Sequence, residues 1–241
     1  MTLPTSGPDR VRSESPDRDH AARDPVSYRF TLAMIALALV IAGGLAFAID
    51  LPVASWCKTH RLPGELARLL NFAEVGGHAL GVAVLLAVAI FLDRTLRPLP
   101  LRPTSSSSRD LARIVSAAYA GGLVVDTIKA SVDRVRPRAA DLTSFASALA
   151  TFGDGAAATA TGRGADLMSF PSGHAAVAAG FAAALGWKYP HGRPLFALLA
   201  AAAAAQRVVT SAHYPSDVAF GAALGLVGAL VCLGSKPPET L

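Results

Sequence analysis

Three short polar clusters interrupt an otherwise apolar stretch of sequence, and their residue types suit chemistry on a multiply charged anion. The first is Lys129-Ala-Ser-Val-Asp-Arg-Val-Arg136-Pro137. The second is Pro171-Ser172-Gly173-His174, and the third runs from Arg207 through His213 to Asp217. Lys129, Arg136 and Arg207 are fixed cations, and the planar fork of arginine matches phosphate oxygens. Pro171, Ser172 and Gly173 read as the opening of a helix whose free N–H groups and positive dipole end favour an anion, with Gly173 permitting close backbone approach. His174 and His213 supply a nucleophile and a general acid that work near neutral pH. Asp217 follows His213 by four residues, with Pro215 and Ser216 turning the chain between them, so its carboxylate can hold the imidazole tautomer. The sequence shows no cluster with metal-ligand spacing and no P-loop, which predicts metal-free chemistry with no cofactor. Alone, His174 would read as a polar residue tucked into helix packing; its partners give it a chemical use.

The elements that must bring these clusters together are membrane helices. The chain of 241 residues is 52% hydrophobic and only 16% charged, against about 25% charged in soluble domains, and its mean hydropathy is +0.43. Apolar segments fall at 30–49, 75–92, 111–128, 174–187, 194–211 and 216–234, most of them near the ~20 residues that cross a bilayer core. The fourth spans comfortably only if Pro171 to Gly173 begin its helix. The expected fold class is therefore all-α, a polytopic membrane helical bundle of about six transmembrane helices, with five as the competing count. Residues 1–26 hold five acids and four arginines with little to bury, which predicts a disordered cytoplasmic tail. There is no cleavable signal peptide pattern, so the first apolar segment should act as an uncleaved anchor. A membrane domain over 27–235 and a short cytoplasmic end over 236–241 complete the expected layout.

The net charge of +5 reads as membrane topology and not as a nucleic-acid surface. With the N-terminus inside, thirteen of the 22 basic residues fall on cytoplasmic segments, which favours both termini inside. An odd-numbered span leaving and an even-numbered span starting share a face. Six spans thus bring Lys129, Arg136, His174, Arg207, His213 and Asp217 together at the outer surface of a cell (inner) membrane. Between the third and fourth spans a long outer region includes 141–152, expected as a short helix over the site. Arg134 and Arg138 fall off the cluster spacing and read as solvated or lipid-facing charges. Trp56, Trp187 and Tyr189 read as interfacial anchors. Glu74 and His78 could touch a headgroup, and Asp126 could line the cavity or pack against a polar neighbour. Cys57 and Cys232 fall on opposite faces, which argues against a disulfide between them.

The spacing Lys129-x6-Arg136-Pro137, then Pro171-Ser172-Gly173-His174, then Arg207-x5-His213-x3-Asp217 resembles the three-part signature of the type 2 phosphatidic acid phosphatase and haloperoxidase superfamily. The resemblance covers about 75–234. It implies a phosphatase acting on lipid-linked phosphates through a phosphohistidine intermediate, with membrane lipids around it and no obligate protein partner. On the matching positions it implies that His213 attacks phosphorus and that Asp217 orients and charge-stabilises it. His174 protonates the leaving oxygen and later activates water. Lys129, Arg136, Arg207, Ser172 and the Gly173 amide hold the phosphoryl oxygens. Two positions depart from the family: Gln206 stands where Ser usually precedes the third-cluster arginine, and Val135 where Gly is common. A phosphate pocket could also take vanadate and act as a haloperoxidase. A third possibility is a transporter or scaffold, whose charged site should lie near the bilayer midplane.

Overall fold

Long runs of Ala, Leu and Val must satisfy their backbone groups internally in lipid, and helices do this within one segment. The computed structural model describes residues 25–60, 62–92, 106–162 and 164–234. Most of the expected tail, the connector over 93–105 and the C-terminal end lie outside them. Nine helices are described: α1 (Pro25–Ala46), α2 (Asp50–Thr59), α3 (Gly64–Glu74), α4 (Ala79–Leu92), α5 (Ser106–Lys129), α6 (Gly153–Thr159), α7 (Gly173–Lys188), α8 (Arg193–Val209) and α9 (Pro215–Cys232). No strand occurs among the described residues. The protein is an all-α integral membrane bundle, and each of the six apolar stretches carries a helix.

The lengths differ from the even set of six spans. Tyr28–Ala46, Arg109–Lys129 and Pro215–Cys232 are each long and apolar enough to cross a membrane. The second stretch, 75–92, qualifies only together with the chain before it: Gly64–Gly77 and Leu80–Val88 meet at 83° and reach that standard as a pair. The bend falls at His78, between a 3-10 turn over Val75–Gly77 and α4. The helices α7 and α8 have 16 and 17 residues, about 24 and 26 Å, short of a ~30 Å core. Twelve residues of α7 are buried, so it is the central helix of the bundle and not a lipid-facing one.

Around α7 pack α5, α8 and α9, with α1 laid on α9 and α3 on α8. The seam between α7 and α9 is made of small residues. A Cβ added at Gly221 or Gly225 would collide with the carbonyl oxygens of Ser172 and Ala176, so glycine there sets the distance between the two backbones. Trp187, expected at the interface, is 2% exposed and sits in the main apolar cluster with Tyr28, Ile114, Phe181 and Leu226. Trp56 is exposed and stacks on His60. Both cysteines are free.

The expected helix over 141–152 does not form. Asp141 accepts hydrogen bonds from the Thr143 amide (3.1 Å) and hydroxyl (2.7 Å), and Ser144 donates to the Asp141 carbonyl. Such local side-chain bonds offer the backbone an alternative to a helix. A 3-10 turn follows at Ala148–Thr151, and the helix itself is α6.

Candidate active site

The ends of four long helices converge at one pole of the bundle. Lys129 is the last residue of α5, and Ser172 caps α7, its Oγ 3.5 Å from the Ala175 amide. Arg207 lies in the last turn of α8, and Asp217 in the first turn of α9. The Lys129 Nζ lies 4.0 Å from where a Gly173 Cβ would stand, so the lysine reaches the mouth of α7. The Ser172 amide donates to the Asp217 carbonyl at 2.9 Å, tying the starts of α7 and α9 together. Residues of all three clusters thus stand at this pole.

His213 is 2% exposed, and its Nδ1 lies 2.7 Å from the Ser169 carbonyl. A carbonyl only accepts, so Nδ1 carries the proton and the lone pair resides on Nε2. The Asp217 carboxylate stands 3.6 Å from the same Nδ1, a close counter-charge but too far for a hydrogen bond. Burial pushes the His213 imidazole below its ordinary pKa, while Asp217 pulls it upward. Burial thus disfavours the charged form of the ring, and the Asp217 carboxylate favours it.

Asp217 is held by groups that the cluster spacing omits. It accepts from Ser169 Oγ at 2.6 Å, from the Tyr214 amide at 2.9 Å and from Arg134 Nη1. Arg134 was expected in solvent or lipid and is instead fully buried. It bridges Asp217 to Asp50 (2.7 Å) and also donates to Thr151 and Ser216. The Ser216 amide and hydroxyl close the network on Asp50. The guanidinium stacks over the Tyr214 and Phe152 rings, 4.1 and 4.6 Å from their centroids. Backbone bonds hold it there, since Arg134 pairs with Phe152 and Met168 in isolated β-bridges. In that extended segment Arg134 and Arg136 share a side-chain parity, so spacing alone cannot tell the buried cation from the ligand. The signals available in the sequence were Asp50 after the first span and Ser169 before the second cluster. Arg138 follows expectation: it is exposed and paired with Asp166 at 2.7 Å.

The remaining cations have unused donors. The Nε atoms of Arg136 and Arg207 are both buried without a hydrogen-bond partner among the described residues. Burial, then the neighbouring Arg138 cation, lowers the Arg136 pKa, a cost that a bound anion would relieve. Lys129 and Arg207 both stand within electrostatic reach of Arg136. Arg207 Nη1 bonds Glu74 Oε1 at 2.6 Å, and Gln206 Nε2 donates to Glu74 Oε2 at 2.8 Å and to Asn71 at 3.1 Å. His174 Nε2 faces His78 Nε2 at 3.2 Å, with Glu74 Oε1 3.9 Å away. The sequence offers no metal-ligand spacing, yet the fold places three donors, Glu74, His78 and His174, within 4.8 Å of one another. Asp126 is exposed on α5.

An apolar cavity of about 620 Å³ opens beside the site, between α1, α7, α8 and α9. Ala175 and Pro215 line its near end and Tyr28 and Arg193 its far end.

None of the curated proteins compared with this chain matches it significantly. Among solved structures, the chain is similar to a transmembrane PAP2-type phosphatidylglycerolphosphate phosphatase from Bacillus subtilis. That likeness has 20% identity and a TM-score of 0.48, covering 87% of this chain and 94% of the other. The profile of the PAP2 superfamily matches residues 110–240, which include all three polar clusters and more than half of the sequence. The chain therefore belongs to the PAP2 superfamily.

Proposed function

We propose that the protein is a membrane phosphatase that hydrolyses a lipid phosphate or diphosphate through a phosphohistidine at His213, without metal. The observation that carries this reading is the pairing of a tautomer-fixed buried His213 with two buried guanidinium N–H groups that have no partner among the described residues. A phosphoryl group seated against Arg136, Arg207 and Lys129 would present its phosphorus to the His213 lone pair. The Gly173 amide and Ser172 at the α7 N-terminus add donors to the same oxygens. His213 Nε2 forms the P–N bond as the P–O bond to the lipid breaks, and His174 gives its proton to the departing oxygen. His174 then takes a proton from water, whose oxygen attacks phosphorus as the P–N bond breaks, which returns the lone pair to His213 Nε2 and releases inorganic phosphate. The Asp217 carboxylate offsets the positive charge that His213 carries in between, and the Ser169 carbonyl keeps the ring oriented.

The apolar cavity that reaches Ala175 and Pro215, neighbours of His174 and Asp217, supports a substrate with a long hydrocarbon chain. Phosphatidic acid, phosphatidylglycerophosphate and isoprenyl diphosphates all fit that description. The same cavity disfavours a haloperoxidase acting on small anions. The charged groups lie at helix ends and not at mid-helix, which disfavours a transporter. The basic-residue distribution supports an outer-face site in a cell (inner) membrane with cytoplasmic termini. In a detergent assay on short-chain phosphatidic acid, His213→Ala should abolish phosphate release while chelator leaves the wild type active. Full activity in His213→Ala, or loss with chelator, would overturn the mechanism.

A further inference from the structure

Glu74 and His78 lie outside the residues that match the superfamily profile, yet they stand against the proposed proton donor. We infer that Glu74, His78 and His174 form a site for a zinc-class divalent cation, and that its occupation inhibits the enzyme. The inhibition rests on the role proposed for His174; the binding does not.

The geometry points to a metal because of the spacing among the donor atoms. Zinc bonds to imidazole nitrogen and carboxylate oxygen at about 2.0–2.2 Å, so neighbouring ligands of a tetrahedral ion stand about 3.3 Å apart. His174 Nε2 to His78 Nε2 is 3.2 Å, and His78 Nε2 to Glu74 Oε1 is 3.3 Å. The third edge, His174 Nε2 to Glu74 Oε1, is 3.9 Å. Two imidazoles and one carboxylate are a ligand set that suits zinc, with the fourth position left to water. The rings meet edge to face, 81° apart with centroids at 4.4 Å, which leaves the two Nε2 atoms as the closest pair of polar atoms between them. Without a metal, a single shared proton must serve that contact.

Backbone and surrounding side chains hold the donors in place. Glu74 and His78 straddle the 3-10 turn over Val75–Gly77 at the start of the second apolar stretch. Gly77 in that turn is pressed on α7: a Cβ there would stand 3.0 Å from the His174 carbonyl. Gln206 orients the Glu74 carboxylate through Oε2, and Arg207 donates to Oε1, which keeps a second lone pair. Outer-shell bonds of this kind tune metal affinity, and here they give a use to Gln206, the residue that departs from the family pattern. The His78 side chain is 55% exposed, so an ion in solution can reach the site. Bound metal takes the His174 Nε2 lone pair and thereby the atom that would carry the proton. The cation is therefore an inhibitor and not a cofactor.

The test uses full-length, metal-free protein in detergent with Zn2+ alone, monitored by calorimetry, and with Co2+, monitored by its visible absorption. The wild type should bind one Zn2+ and give the intense bands of tetrahedral Co2+. His78→Ala and Glu74→Gln should lose that binding, and Gln206→Ala should weaken it about tenfold or more. His60→Ala and His191→Ala should bind as the wild type does. On phosphatidic acid, Zn2+ should inhibit the wild type reversibly by chelator, while the rate that remains in His78→Ala should resist Zn2+. Absence of Zn2+ binding by the wild type, or binding unchanged in both His78→Ala and Glu74→Gln, overturns the site. Site-dependent binding by a chain with no phosphatase activity leaves the metal site standing and sinks the proposed function. Phosphatase activity in a chain that binds no Zn2+ does the reverse.

Discussion

Arg134 illustrates how a buried cation can govern a site it does not line. It sits between Asp50 and Asp217 with all three of its donor nitrogens engaged. Such a network is tolerable in a dry interior only while every member is satisfied. Arg134→Met should therefore leave two carboxylates unpaired and destabilise the protein by about 3–5 kcal/mol, read as a lower melting temperature in detergent. Unchanged melting would show that the network is not structural. At His213 the sign of the pH effect follows from burial. The attacking ring must be neutral, and burial lowers its pKa, so the acid limb of kcat/KM should lie below the ordinary ~6.5. Asp217 pulls that pKa up, so Asp217→Asn should slow turnover and move the limb further toward acid. A limb above ~6.5, or an alkaline shift in the variant, would contradict this account of the site's electrostatics.

At the scale of helices, the α7–α9 seam couples packing to chemistry. The carbonyl that a Gly221 side chain would strike belongs to Ser172, and the Ser172 amide is bonded to Asp217. Gly221→Val should cost about 1–3 kcal/mol by overpacking and depress kcat more than Gly44→Val, where a side chain meets nothing within 4 Å. Equal effects would mean that the seam does not position the site. Much of this scale was legible in the sequence, because apolar runs mark helices and the polar clusters mark their ends. The breaks were less legible. Pro171 and Ser172 precede α7, which starts at Gly173, and the 3-10 turn over Val75–Gly77 sets the first residues of the second run apart from α4, although its composition reads as continuous. Trp187 reads as an anchor from its place at a helix end, yet the chain folds it into the core. The place of Arg134 is not legible, because a one-dimensional spacing does not say which side of an extended segment meets two distant acids. The local Asp141 bonds that replace a helix are likewise contacts of particular atoms and leave only a faint mark on composition.

At the scale of the molecule, the site lies at one pole and an apolar cavity runs from it along α8. If that cavity takes the lipid tail, Ala222→Phe should reduce kcat/KM for a long-chain phosphate by about tenfold, roughly 1.4 kcal/mol. It should leave a water-soluble phosphate ester nearly unaffected. Equal losses on both would place the tail elsewhere. Labelling a cysteine placed within 155–165 from outside the cell tests the orientation, since labelling only after permeabilisation would invert it. The central claim is the covalent step on His213. Purified protein mixed with radiolabelled lipid phosphate and quenched in alkali should carry acid-labile, alkali-stable phosphate on His213, and His213→Ala should carry none. Label on another residue, or wild-type turnover in His213→Ala, would contradict the account.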